Sequence, residues 1–274
     1  MKIEQMIKSY QLKGYEYQDA VSKVSQDIIL YKISKSRFSK NITIKGGVVM
    51  HNISKNIRRA TRDIDLDFIK YSLDDFSIKK FIEIINTSDN DTNIEISGTI
   101  VPLHHQDYDG KRVAIKISDK YDFSINSKLD IGIHKNFDIN QDEYCFAIDT
   151  LNKNVSLLIN SKEQMFTEKM KSLLKLGRRS TRYKDLFDFY YLINIAKLDR
   201  ERLIECINIL IFKDENMREN NIEDIKNRIN KIMNSNIYMN NLSDPKVNWL
   251  DVSANDVISS ILHYLESLEK VSIE

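Results

Sequence analysis

The five residues Asp63-Ile64-Asp65-Leu66-Asp67 restrict this chain more than any other stretch. On a β-strand, residues two apart point to the same face, so Ile64 and Leu66 turn toward a core while Asp63, Asp65 and Asp67 project together. Like charges stacked in this way repel, and a divalent cation between them removes the repulsion. Mg²⁺ is ordinarily held by one or two carboxylates together with the phosphates of a nucleotide. Upstream stands Lys45-Gly46-Gly47, a turn without side chains that lets backbone N–H groups approach a triphosphate. Taken alone, the Asp-x-Asp alternation fits a solvated strand face as well as a metal site. Asp67 is the member of the three that best fits plain solvation.

The rest of the chain sets the context. With 274 residues and 42% hydrophobic content it can bury a sizeable core. Its 41 basic and 40 acidic residues nearly cancel, so any nucleic-acid contact needs a local patch rather than an overall polycation. Cys145 and Cys206 are too far apart in sequence to suggest a disulfide framework or a thiolate metal site, which fits a reducing, cytoplasmic location. Charges interrupt the apolar positions of the first residues, and no apolar run approaches a membrane span. A soluble protein without a membrane partner is the expectation.

Periodicity predicts helices over 3–13 and 17–36, a strand over 41–45, a helix over 48–57, a strand over 63–69 and a helix over 76–85. Alternating or β-branched runs over 94–101, 112–117, 124–133 and 144–148, with turns such as Asp109-Gly110, predict antiparallel strands beside the Asp63 strand. Past residue 160 the pattern becomes helical over 161–175, 182–196, 200–212, 216–233 and 254–268. Asp199 and Ser253 are the expected N-caps, and a polar loop over 240–246 contains Pro245. The expected fold class is therefore α+β: a mixed β-sheet with flanking helices, followed by an α-helical C-terminal region. The expected domains are 1–160 and 161–274, the second completing an active-site cleft.

Two further segments carry candidate chemistry. In Lys128-Leu129-Asp130-Ile131-Gly132-Ile133, alternation puts Lys128, Asp130 and Gly132 on one face; if this strand neighbours the Asp63 strand, three carboxylates converge. Two-metal phosphoryl transfer uses such a set, with one carboxylate on the ion that activates the attacking hydroxyl. The helical half offers Glu168-Lys169 and then Arg182-Tyr183-Lys184-Asp185-Leu186-Phe187-Asp188, where Asp185 and Asp188 share a helix face. Cations there would neutralise the charge of phosphates. Arg178 and Arg179 read as a solvated face, and His51, His104 and His105 have no partner at ligand spacing. Trp249, Phe187, Phe189, Tyr190 and Tyr191 read as core.

Together, Gly46-Gly47, the run from Arg59 through Thr61 to Asp63 and Asp65, Asp130, Glu168-Lys169, and Arg182-x-Lys184-Asp185-x-x-Asp188 resemble the AbiEii/AbiGii family of nucleotidyltransferase toxins, over about residues 40–195. That family lies within the DNA-polymerase-β-like nucleotidyltransferase superfamily, whose usual first motif is Gly-Ser where this chain has Gly46-Gly47. The resemblance implies a nucleotidyltransferase-type sheet and an enzyme that moves a nucleotidyl group from an NTP to an acceptor, releasing pyrophosphate. The implied cofactor is Mg²⁺ at a two-ion site. The implied acceptor is RNA such as a tRNA 3′ end, with an RNA backbone held by Lys175, Arg178, Arg179 and Arg182. The implied biology is that of a toxin in a toxin–antitoxin or abortive-infection (phage defence) system, with a winged-helix antitoxin as partner and no direct contact required.

Residue by residue, the resemblance assigns Asp63 and Asp65 to the metal pair and Asp130 to completing the set and helping to deprotonate the acceptor. Lys169 and Lys184, with Arg182, would meet the triphosphate near Gly46 and Gly47. Asp185 would orient Lys184 or assist proton transfer, with Asp188 in the same motif, and Arg59 and Thr61 would fix the turn or touch phosphate. Two other readings are a degenerate fold serving as a binding or regulatory module, and a different Asp-x-Asp enzyme such as a glycosyltransferase or a haloacid-dehalogenase-type phosphatase. The phosphatase motif wants Gly after the second Asp, where this chain has Leu66.

Overall fold

A computed structural model describes residues 2–103, 110–234 and 236–269; His104, His105 and Asp109 lie outside them. The chain divides into two compact units, Met1–Asn160 and Ser161–Glu274.

The first unit opens with α1 (Ile3–Leu12) and α2 (Tyr17–Lys35), then β1 (Ile42–Lys45), α3 (Gly46–Ser54), β2 (Ile64–Phe68) and α4 (Asp75–Asn86). It continues with β3 (Thr92–Ile96), β4 (Val101–Pro102), β5 (Lys111–Asp119), β6 (Ser124–Ile133), β7 (Asp142–Ile148) and β8 (Lys153–Ile159). All eight strands form one sheet in the order β3-β5-β6-β2-β1-β8-β7, with β4 also paired to β5. The apolar halves of the alternating strands make the core: Ile42, Ile44, Ile64, Leu66, Phe68, Val113, Ile115, Leu129 and Ile131 are fully buried. Helix α2 lies against β6 and β8. Burying each such aliphatic side chain contributes about 1.5–3 kcal/mol, so this face fixes which way β2 can turn its acids. Helices α1 and α2 are clamped by a buried cluster in which the Tyr10 hydroxyl donates to Asp27 and the Lys23 ammonium lies 2.6 Å from it.

Three expectations change here. The Asp-bearing strand β2 is antiparallel to β1 but parallel to β6. A parallel neighbour needs a long crossover, and α4 with β3 to β5 supplies it. The single strand expected over 94–101 is two, β3 and β4, both paired to β5. Between them lies Gly98, whose φ of +101° suits a residue without a side chain. Finally, β8 was not expected, and it pairs parallel to β1; its polar start, Lys153-Asn154, hides the alternation that follows.

The second unit holds α5 (Lys162–Leu176), α6 (Lys184–Tyr191), α7 (Arg200–Ile207), α8 (Ile222–Met233), α9 (Asn236–Leu242) and α10 (Ala254–Glu269). Helices α6 and α7 run on into π-helical turns, Leu192–Ala196 and Asn208–Phe212. Ser161, Asp199 and Ser253 accept from the backbone N–H groups of Gln164, Arg202 and Asp256, satisfying donors that a helix start leaves unpaired. The helix expected from 216 begins only at Ile222. Asp214 takes the Asn216 N–H and Asn221 caps α8, so polar side chains compete successfully with the helix over 214–221. Helix α9 occupies the start of the expected polar loop. Phe187, Phe189 and Trp249 are core, as expected. No helix among the described residues is long and apolar enough to cross a membrane.

Candidate active site

The polar face of the sheet is where the candidates of the first unit meet. Because β2 and β6 run parallel with Asp65 opposite Asp130, these two carboxylates stand abreast on adjacent strands. The same register sets Lys45 of β1 opposite Asp65, and Arg112 of β5 opposite Asp130. A row of charged residues therefore crosses four strands: Lys45, Asp65, Asp130, Arg112. One pleat along, Thr43, Asp67 and Gly132 form a second row. Asp63 lies one residue before β2, at the edge of the same face.

Cations match these acids. Arg112 grips Asp130 with two parallel hydrogen bonds, Nε to Oδ1 at 2.7 Å and Nη2 to Oδ2 at 2.6 Å, the fork geometry that makes guanidinium–carboxylate pairs strong. Those hydrogen bonds push the Arg112 pKa up; burial opposes the shift, and the charges of Asp130, Asp63 and Asp65 add to it. Lys128 reaches Asp63 at 2.8 Å, with both side chains 40% exposed. Lys45 holds Asp67 at 2.7 Å, and both are buried.

The glycine pair forms the first turn of α3 rather than a separate loop before it. Gly46 has φ +65°, and a Cβ there would run into the Asp65 carboxylate. A Cβ on Gly47 would lie 2.5 Å from Thr61 Oγ1 and 2.7 Å from Thr61 Cβ. Both glycines are thus required by close approach: Asp65 closes over one and Thr61 over the other. Gln26 fixes the Thr61 segment by donating to its carbonyl at 2.8 Å, and Arg59 is buried beside it in sequence.

In the second unit, Lys169 of α5 is almost fully buried, its ammonium 2.5 Å from Asp185 and 2.9 Å from Asp188 on α6. Arg182 reaches the other oxygen of Asp185 at 2.8 Å. The i,i+3 spacing of the two aspartates is what lets one lysine take both. The Asp185 carboxylate bridges Lys169 and Arg182, and Lys184 is half-buried at the start of α6. Arg178 donates to the Lys231 carbonyl and Arg179 is exposed. Tyr183 packs edge-on against Tyr238.

Sequence reasoning gave Arg112 no role. It sits at an outward position of an alternating strand, but only strand order reveals that β5 abuts β6 and so brings the guanidinium to Asp130. As donors, Asp65 and Asp130 fit a hard divalent cation, since two in-register carboxylates are the complement Mg²⁺ uses alongside substrate phosphates. Among the described residues, no three of His, Cys, Asp and Glu are grouped closely enough to hold a metal as they stand. Asp130 and Asp63 are turned to Arg112 and Lys128 instead.

Comparison with known proteins adds the following. No curated protein matches. The crystal structure of an antigenic nucleotidyltransferase-like protein from Paracoccidioides brasiliensis is similar at 14% identity and a TM-score of 0.42, covering 86% of this chain and 95% of that one. Residues 28–244, most of both units, match the family described as nucleotidyl transferase AbiEii toxin, type IV toxin–antitoxin system. That span takes in the glycine turn, the sheet acids and the Lys169 cluster alike, and by it the chain belongs to the AbiEii family of nucleotidyl transferase toxins.

Proposed function

We propose that the protein is a Mg²⁺-dependent enzyme that transfers a nucleotidyl group from an NTP to an RNA hydroxyl, with a tRNA 3′ end as the acceptor. One observation carries the reading: Asp65 and Asp130 stand in register on adjacent strands, beside a helix start whose two glycines leave no side chain in the way. Asp63, Asp65 and Asp130 would hold the metal, at a two-ion site. When bound, Mg²⁺ neutralises phosphate charge and lowers the pKa of the attacking hydroxyl.

The chain's own residues supply the rest. The N–H groups of Gly46 and Gly47 open α3, and the positive end of a nine-residue helix favours a phosphate there. Thr61 and Asp65 pack against that turn. Asp130 accepts the proton of the acceptor hydroxyl; the hydroxyl oxygen forms a bond to the α-phosphorus, the α–β bridging bond breaks, and pyrophosphate carries away its electron pair. In the helical unit, Arg182 and Lys184 are assigned to phosphate binding; Lys169, which the resemblance placed at the triphosphate, is buried against Asp185 and Asp188 and is assigned instead to setting their positions. An antitoxin is the partner such a toxin requires, in the cytoplasm where NTPs and tRNA are found and in the setting of phage defence.

The test is to incubate the purified protein with each α-labelled NTP, Mg²⁺ and total RNA. The reading expects one NTP or more to label tRNA-sized RNA with release of pyrophosphate. No label with any of the four contradicts it and favours a binding or regulatory module.

A further inference from the structure

The three acid–base pairs of the sheet face differ in a way that points to one more functional residue. Lys45 and Asp67 are both buried, so that pair is a fixed part of the sheet. Lys128 and Asp63 are both well exposed, a pair that water and salt weaken. Arg112 and Asp130 combine the two cases: the Asp130 side chain is 6% exposed and the Arg112 side chain 42%. A buried carboxylate needs a counter-charge, and here it comes from a side chain that reaches in from solvent and can leave again. The need is sharper because Asp65 stands directly beside Asp130, on strands about 4.8 Å apart. Like charges abreast on neighbouring strands destabilise a sheet unless something positive offsets them.

We propose that Arg112 is the resident counter-cation of this site: its guanidinium holds Asp130 until a divalent cation takes its place, and the two exclude one another. This rests on the metal-dependent reading above and adds a residue to it. Both Asp130 oxygens accept from Arg112, so a metal ion on either oxygen meets a guanidinium charge held at the same atom and loses binding energy to that repulsion unless the guanidinium leaves. A bare ion must offset that loss alone. An ion that arrives with a nucleotide brings phosphates to which the displaced guanidinium can turn. Arg112 would therefore tie metal binding to nucleotide binding while keeping the acids apart from adventitious ions.

The experiment is a Mn²⁺ titration of the full chain without nucleotide, read as free Mn²⁺ by electron paramagnetic resonance, for wild type, Arg112→Gln and Arg112→Lys. Removing a charged, bidentate competitor should tighten Mn²⁺ binding by about tenfold in Arg112→Gln, with Arg112→Lys, a single-point donor, in between. Thermal melts with and without Mn²⁺ give a second reading: a ligand that binds only the folded state raises Tm, so Mn²⁺ should raise the Tm of Arg112→Gln more than that of wild type. If wild type binds Mn²⁺ and Arg112→Gln binds it no more tightly, the role of Arg112 is overturned while the metal site stands. If neither binds, the exclusion by Arg112 is overturned, and the metal-dependent reading stands or falls on the RNA-labelling test with Mg²⁺ and NTP. Binding by Arg112→Gln alone supports the exclusion in its strongest form.

Discussion

Two ion pairs of the sheet face, Arg112–Asp130 and Lys128–Asp63, differ in exposure from the Lys169–Asp188 pair of the helical unit. Lys169 and Asp188 are 6% and 0% exposed, whereas Arg112, Lys128 and Asp63 are 40% exposed or more. A buried ion pair has already lost its water, so breaking it strands a charge; a pair open to solvent can trade its cation for another. The Lys169–Asp188 pair is therefore built to stay as it is. On the sheet face, Lys128–Asp63 and Arg112–Asp130, each with its cation open to solvent, are the pairs that we propose exchange partners, unlike the buried Lys45–Asp67 pair.

Loss of one partner should separate the two regions most. Asp188→Ala leaves the Lys169 ammonium buried beside Asp185 alone and should cost about 3–5 kcal/mol of stability by chemical denaturation. A cost below about 1 kcal/mol would break the contrast. By the same logic Lys128→Ala, at an exposed pair, should move stability by less than about 0.5 kcal/mol, with high salt erasing the difference.

Between those extremes lie two tests of α3, the helix that carries the glycine turn. His51 is buried, its Nε2 2.9 Å from the Tyr15 hydroxyl, and burial pushes its pKa down from 6.5 to about 4, with nearby Lys23 and Arg59 adding to the shift. Unfolded, it takes up a proton near 6.5; folded, only near 4. The unfolded state thus binds more protons between those values, and stability falls as pH drops from about 6.5 to about 4, by about 3 kcal/mol in all. Tm measured across this range should show the slope, and His51→Gln should flatten it. Gly47→Ala should cost about 1–3 kcal/mol because the new Cβ meets Thr61, and Thr61→Gly in the same chain should recover part of it.

How far the sequence carried these conclusions differs between elements for physical reasons. Strands β2 and β6 were legible because strict alternation over Asp63–Ile69 and Ser124–Ile133 leaves one face to bury. Helices α5, α7 and α10 were legible through periodicity, and α7 and α10 also through their caps at Asp199 and Ser253. Residue type and spacing marked out Asp65, Asp130, Lys169 and Asp185 as candidates. What no local pattern contains is strand order, so the parallel pairing that sets Asp65 beside Asp130, and the antiparallel one that delivers Arg112, emerged only from the fold. The ion cluster around Lys169 was hidden for a related reason. The i,i+3 aspartates announce a shared face, but not that a lysine from another helix sits beneath it.

If Asp65 and Asp130 serve chemistry and not folding, Asp65→Asn shows it most directly. This variant keeps the shape over Gly46 and removes one charge from the pair with Asp130. The measurement is nucleotidyl transfer from α-labelled NTP to RNA, made on the same preparation as a thermal melt. The account predicts transfer reduced at least about 100-fold with Tm within about 2 °C of wild type. Retained transfer by a folded Asp65→Asn protein would contradict it.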